Sequence, residues 1–197
     1  MSNSEVRGLV REVKTQVMLL GSLIALMWII EIVDVFVFRG GLDRFGIIPH
    51  TLIGLRGILF APFLHGNFAH LIANTLPFAA LGWLVMLRRT ADFLEVSAIV
   101  MLIGGLGTWL IAPSGTIHIG ASGVIFGYLG FLLSRGYFER RFGSILFSII
   151  VGVMYGGLVW GILPGLPGIS WQGHLFGFIG GIVAAKLLAE PKVSRRR

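Results

Sequence analysis

Long apolar runs, separated by short charged or breaker-rich stretches, make up almost the whole chain. They fall at about 17–38, 67–87, 93–112, 121–138, 143–163 and 171–189. A helix needs roughly 20 mainly apolar residues to cross the hydrocarbon of a bilayer, so each run predicts one crossing. Arg88-Arg89-Thr90-Ala91-Asp92 and Arg135-Gly136-Tyr137-Phe138-Glu139-Arg140-Arg141 read as charged turns. Pro113-Ser114-Gly115 and Pro164-Gly165-Leu166-Pro167-Gly168 read as breaker-rich turns. The 39–64 connection is too long for a simple turn and is expected to be structured. The pattern predicts an all-α, polytopic membrane protein with six transmembrane helices over 17–189. Residues 1–16 form an N-terminal segment and 190–197 a basic tail.

Composition agrees with this reading. The chain is 55% hydrophobic and 13% charged, with 29 glycines, whereas about 25% charged residues is usual in a soluble domain. Glycines at this density fit helices that approach closely in lipid. The chain has no cysteine, which excludes disulfides, thiolate metal sites and a cysteine nucleophile. The polar first sixteen residues lead into an apolar run without a small-residue cleavage site, so the first helix is expected to be retained. No soluble domain is expected at either end.

The net charge of +7 follows orientation rather than nucleic-acid binding. With the N-terminus in the cytoplasm, 13 of the 16 basic residues lie inside, leaving Arg39, Arg44 and Arg56 outside. That bias predicts two cytoplasmic termini.

Orientation then aligns several polar residues in depth. The second, fourth and sixth helices all begin at the outer face. His70 and Asn74 lie in the first two turns of the second, Ser122 opens the fourth, and His174 is in the first turn of the sixth. Four polar residues on three helices therefore share one depth, where polar side chains are expensive and often functional.

Their chemistry is complementary. Ser122, between Gly120 and Gly123, sits where a helix start offers unpaired N–H groups and the glycines permit close approach. It is a candidate nucleophile, although a Gly-x-Ser-Gly string also serves in capping or packing. His174 is a candidate general base. His70 and Asn74, four residues apart, share one helix face and can donate to a developing oxyanion. His65 precedes that helix and is expected to organise the loop or border the site. His118 and His50 read as ordinary loop histidines.

The carboxylates supply no third member. Glu31 and Asp34 reach a similar depth, but no spacing ties them to His174, and interfacial solvation or pairing with Arg39 or Arg44 is the simpler expectation. A Ser–His dyad is therefore favoured over a triad. No metal is expected, because no His-x-x-x-His pair or matched carboxylate accompanies the histidines. No cofactor is expected either.

In this order and spacing, His70-x-x-x-Asn74, Gly120-Ala121-Ser122-Gly123, and His174 followed by Gly177-x-x-x-Gly181-x-x-x-Ala185 resemble the rhomboid intramembrane serine proteases. The resemblance spans the six-helix core and implies a minimal-core member. It makes Ser122 the nucleophile and His174 the base, with His70, Asn74 and the Ser122 N–H as the oxyanion hole. It also implies that the small-residue stripe packs the sixth helix on the fourth, and that 39–64 lies partly in the outer leaflet. Rhomboids often carry tyrosine four residues after the serine, where the catalytic histidine stacks. Here that residue is Phe126, which keeps the aromatic surface.

The implied activity is hydrolysis of a peptide bond in or near a transmembrane segment of a membrane-protein substrate, through an acyl-enzyme. The implied setting is a prokaryotic plasma membrane, with the lipid bilayer and transmembrane proteins as partners and no nucleic acid. Glycines 152, 156, 157 and 161 in the fifth helix either gate lateral access or pack helices. The alternative is a proteolytically inactive rhomboid-like protein that binds or chaperones membrane proteins. Retention of both Ser122 and His174 counts against it.

Overall fold

A computed structural model describes residues 2–165 and 168–189 of the chain. The basic tail over 190–197, and Leu166 and Pro167 of the breaker-rich turn, lie outside the described residues.

The apolar runs fold into long helices. α1 (Asn3–Val33) ends in a π turn over Asp34–Phe38. The 39–64 segment is structured, holding the one-turn α2 (Gly57–Phe60) among three 3-10 turns. α3 (Phe68–Met86), α4 (Thr90–Ile111), α5 (Ser122–Glu139), α6 (Phe142–Tyr155) and α7 (Trp171–Leu187) follow. The described residues contain no strand beyond an isolated bridge between Ile47 and His118. The chain is an all-α membrane bundle.

Three boundaries differ from the apolar pattern, the least of them at α4, which starts at Thr90 within the stretch read as a charged turn. α1 begins at Asn3, because Ser2 and Glu5 form a reciprocal capping box. At 1.5 Å per residue this helix is about 45 Å long, so its polar first turns extend beyond the hydrocarbon. α6 tightens at Gly156 into a 3-10 segment, Gly156–Ile162, rather than continuing as α-helix to 163.

By length and composition, Asn3–Phe38, Phe68–Met86, Thr90–Ile111 and Phe142–Ile162 are apolar and long enough to span a bilayer. α5 and α7, with 18 and 17 residues, fall outside that set. They form the bundle centre, where small and polar residues replace lipid-facing bulk.

α7 packs between α5 and α4 through its glycines. A Cβ on Gly177 would lie 2.1 Å from the Gly123 carbonyl oxygen, and one on Gly181 would lie 1.9 Å from that of Gly127. Ala185 extends the buried stripe. Small residues thus allow backbone-to-backbone contact, which lipid alone would not drive.

At the end of α5 remote from Ser122, charges pair inside the bundle. Arg88 donates to Asp92 at 2.8 Å and to Glu139 at 3.0 Å, while Arg135 donates to Glu139 at 2.8 Å. Ser144 on α6 also donates to Glu139.

Glu31 and Asp34 differ from the interfacial solvation or pairing read in the sequence. Both are buried, and among the described residues neither forms an ion pair with Arg39 or Arg44. Asp34 instead accepts the Leu42 N–H at 2.8 Å, fixing the turn that leaves α1.

Candidate active site

Ser122 is the first residue of α5, so its N–H belongs to the unpaired set at a helix start. The preceding residues enter the helix through Gly120, whose φ of +110° favours glycine. The Gly120 N–H donates to Ala61 at 2.9 Å, and His118 and Ile47 exchange backbone hydrogen bonds of 2.9 and 3.0 Å. The 39–64 segment therefore buttresses the turn that presents Ser122.

His174 lies in the first turn of α7, opposite Ser122. Its Nε2 is 2.8 Å from the Ser122 Oγ, and its Nδ1 is 2.9 Å from the Gly161 carbonyl oxygen. A carbonyl can only accept, so Nδ1 carries the proton and Nε2 accepts from the serine hydroxyl. The Phe126 ring stacks on the imidazole, with centroids 4.0 Å apart and planes inclined by 10°. Phe126 and His174 are both buried.

α3 contributes the opposite wall. Asn67 caps the helix by accepting the His70 N–H at 2.8 Å. The His70 ring and the Asn74 amide converge on Gly120, where a Cβ would lie 2.8 Å from His70 Nε2 and 3.5 Å from Asn74 Nδ2. Asn74 Nδ2 is buried and donates to no protein acceptor among the described residues. His65 is buried behind His70, with ring centroids 5.1 Å apart and an edge-on arrangement. Burial, with the neighbouring His70 adding to it, pushes the His65 pKa down to about 4.

A cleft of about 940 Å³ joins these groups, lined by Asn74, Ser122 and His174 and, on the other side, by Gly157, Trp160 and Gly161. It runs between α3 and the 3-10 segment after α6. Glycines 156 and 157 have open space where a Cβ would project, so they are not packing positions. Gly161 is different. A Cβ there would lie 2.8 Å from Phe126 Cζ and 3.4 Å from His174 Nδ1, so the missing side chain makes room for the stacked pair. Among the described residues, no group of three or more histidines or carboxylates is arranged to hold a metal.

His118 is more than the loop histidine read in the sequence. It lines the cleft, with Nδ1 2.6 Å from Ser170 Oγ and Nε2 2.8 Å from Thr116 Oγ1. Thr116 spends its proton on the Pro113 carbonyl, so its oxygen must accept from His118 Nε2. His118 Nδ1 therefore accepts from Ser170, whose oxygen accepts the Gly173 N–H as the cap of α7. Burial lowers the His118 pKa, which keeps the neutral ring this relay requires. His118 thus ties the loop before Ser122 to the helix start that carries His174. Thr116 is two residues from His118, but Ser170 is 52 residues away, a separation that no motif records.

Residues 54–191 match the Rhomboid domain family model. An uncharacterized protein of Mycobacterium tuberculosis is 45% identical over 181 residues, covering 88% of this chain and 75% of the relative. An uncharacterized protein of Mycobacterium leprae is 45% identical over 180 residues, covering 87% of this chain and 71% of the relative. Rhomboid protease GluP of Bacillus subtilis is 34% identical over 136 residues, covering 66% of this chain and 25% of the relative.

Proposed function

The chain belongs to the rhomboid family, and from that premise we propose that it is an intramembrane serine endopeptidase acting through a Ser122–His174 dyad. The observation that carries the proposal is the 2.8 Å Ser122–His174 hydrogen bond, with the other imidazole nitrogen anchored on Gly161. A serine that merely capped a helix would need no such partner.

The Ser122 Oγ attacks the carbonyl carbon of a locally unwound substrate segment as His174 Nε2 takes the hydroxyl proton. The oxyanion receives hydrogen bonds from Asn74 Nδ2, His70 and the Ser122 N–H. Collapse of the tetrahedral species breaks the C–N bond, and His174 returns its proton to the leaving amine. Water, deprotonated by His174, then cleaves the acyl-serine ester and regenerates the hydroxyl. Anchoring on Gly161 keeps Nε2 as the accepting nitrogen, the work a triad carboxylate does elsewhere. Phe126 holds the ring plane and His65 backs His70. No cofactor enters any step.

The substrate is a transmembrane protein cut at a small residue near the outer face. It enters laterally between α3 and the Gly156–Ile162 segment, whose unpacked glycines suit a gate. The setting is a prokaryotic plasma membrane with both termini in the cytoplasm.

The test is labelling of purified protein in detergent by a fluorophosphonate, beside Ser122→Ala and His174→Ala. Labelling of the parent that disappears in both variants is the expected result. A folded parent that takes no label, or equal labelling of Ser122→Ala, removes Ser122 as nucleophile.

A further inference from the structure

The opposite end of α5 carries a second cleft, of about 570 Å³, between α5 and α6. Its walls are Leu133 and Tyr137 on α5 and Ile145 and Ile149 on α6, with Arg140 at the connecting turn. Tyr137, Ile145 and Ile149 are exposed, so the walls face outward from the bundle. The polar groups at its floor are already used. Ser148 donates to the Leu132 carbonyl at 2.6 Å and accepts the Gly136 N–H at 3.0 Å.

Arg140 is the unusual member. Its neighbour in the charge cluster, Arg135, is spent on Glu139, whereas no ion pair among the described residues includes Arg140. It also occupies the left-handed position that ends α5, with φ of +52°. Glycine is the usual residue there, because a side chain is strained. The chain keeps an arginine at that position, on the lip of an apolar cleft and three residues from an exposed tyrosine.

Basic and aromatic residues at a helix end, above an apolar groove, match a phospholipid in both parts. From Arg140 to Leu133 the groove descends about 10 Å at 1.5 Å per residue, enough for the upper part of an acyl chain. We propose that this α5–α6 cleft is a binding site for an anionic glycerophospholipid, with its phosphate on Arg140 and an acyl chain between Leu133 and Ile149. The site lies in the leaflet opposite Ser122. Its ligand is distinguished from bulk lipid by charge at the headgroup and by shape along the chain. The inference is independent of any catalytic role of Ser122.

The experiment is native mass spectrometry of protein extracted from mixed vesicles of phosphatidylglycerol and phosphatidylcholine. Variants are Arg140→Gln, Ile149→Trp to fill the groove, and Lys14→Gln, which removes an equal charge from exposed α1. Parent protein is expected to retain phosphatidylglycerol preferentially. Arg140→Gln should lower that retention about fivefold, Ile149→Trp should lower it comparably, and Lys14→Gln should leave it unchanged. Both tested side chains are exposed, so folding is expected to survive, with size-exclusion elution checking it. Equal retention of the two lipids by the parent, parent-like retention in Arg140→Gln, or an equal loss in Lys14→Gln would each overturn the site.

Discussion

His174 donates from Nδ1 to the carbonyl oxygen of Gly161 at 2.9 Å, so its imidazole is oriented by backbone from the segment that follows α6. The imidazole is therefore coupled to the wall of the cleft rather than to a buried acid. Gly161→Ala places a Cβ 2.8 Å from Phe126 Cζ and 3.4 Å from that nitrogen, forcing the ring pair or the segment to shift. Displacement of a reacting group by about 1 Å can slow chemistry roughly a hundredfold. Gly161→Ala is expected to slow both fluorophosphonate labelling and substrate cleavage between tenfold and a hundredfold, with little change in melting temperature. Parent-like rates would refute the coupling.

Phe126 restrains the same imidazole from its face, at 4.0 Å and 10°. An aromatic pair contributes about 0.5–1.5 kcal/mol beyond its buried area. Phe126→Ala should therefore lower kcat roughly tenfold through loss of ring orientation, while Phe126→Leu recovers packing but not rate. Single-turnover cleavage with matched thermal melts separates the two effects. A leucine variant at parent rate would show that bulk alone suffices.

The bundle was legible because lipid demands long apolar runs, and those runs locate every major helix. Legibility failed where the partner is backbone or lies far along the chain. Nothing in the sequence marks the Gly161 carbonyl as the anchor of His174, and nothing places His118 beside Ser170. Glycines show the same limit. Gly156 and Gly181 are identical letters in apolar runs, yet one faces open space and the other touches a neighbouring backbone. At α1 the Ser2–Glu5 capping signal was present, but hydropathy alone put the boundary later.

That contrast between glycines is itself measurable. A Cβ on Gly181 would meet the Gly127 oxygen at 1.9 Å and the Phe131 nitrogen at 2.7 Å, both backbone atoms that cannot rotate away. Gly181→Ala should destabilise by about 3 kcal/mol or prevent folding, as overpacking does at its severe end. Gly156→Ala meets nothing within 4 Å and should leave stability unchanged or raise it by up to about 1 kcal/mol. Reversible unfolding in mixed micelles measures both. Equal losses would contradict the packing described.

His65 should make stability fall in acid. Its native pKa is about 4 and its ordinary value 6.5, so between these values the unfolded chain binds a proton that the native state excludes. The stabilisation is complete above pH 6.5 and is lost as pH falls toward 4, about 3 kcal/mol in all. Asp43, near Gly66, has the opposite sign, since burial and then Asp34 raise its carboxyl from 3.8 to about 6. Its ionisation removes stability as pH rises through that window. Comparing parent with His65→Gln cancels the Asp43 contribution, and the variant should show a shallower loss between pH 6.5 and 4. Parallel curves would mean that His65 is not held neutral.

The relay through His118 predicts coupling between two residues that no motif joins. Thr116 and Ser170 fix its tautomer, and Ser170 caps the helix whose fourth residue is His174. Loss of either His118 or Ser170 releases the same link, so the second substitution should add little to the first. His118→Phe keeps the ring volume and removes both hydrogen bonds, and Ser170→Ala removes the cap together with the link. Each should slow labelling of Ser122 about tenfold, and the double variant should remain within about twofold of the slower single. That non-additivity would give an interaction energy of about 1 kcal/mol in a double-mutant cycle. Additive losses would instead mean that His118 and Ser170 support the site separately, with the His118 loop held by its own contacts to the 39–64 segment, the Ile47 bridge and the Gly120–Ala61 hydrogen bond.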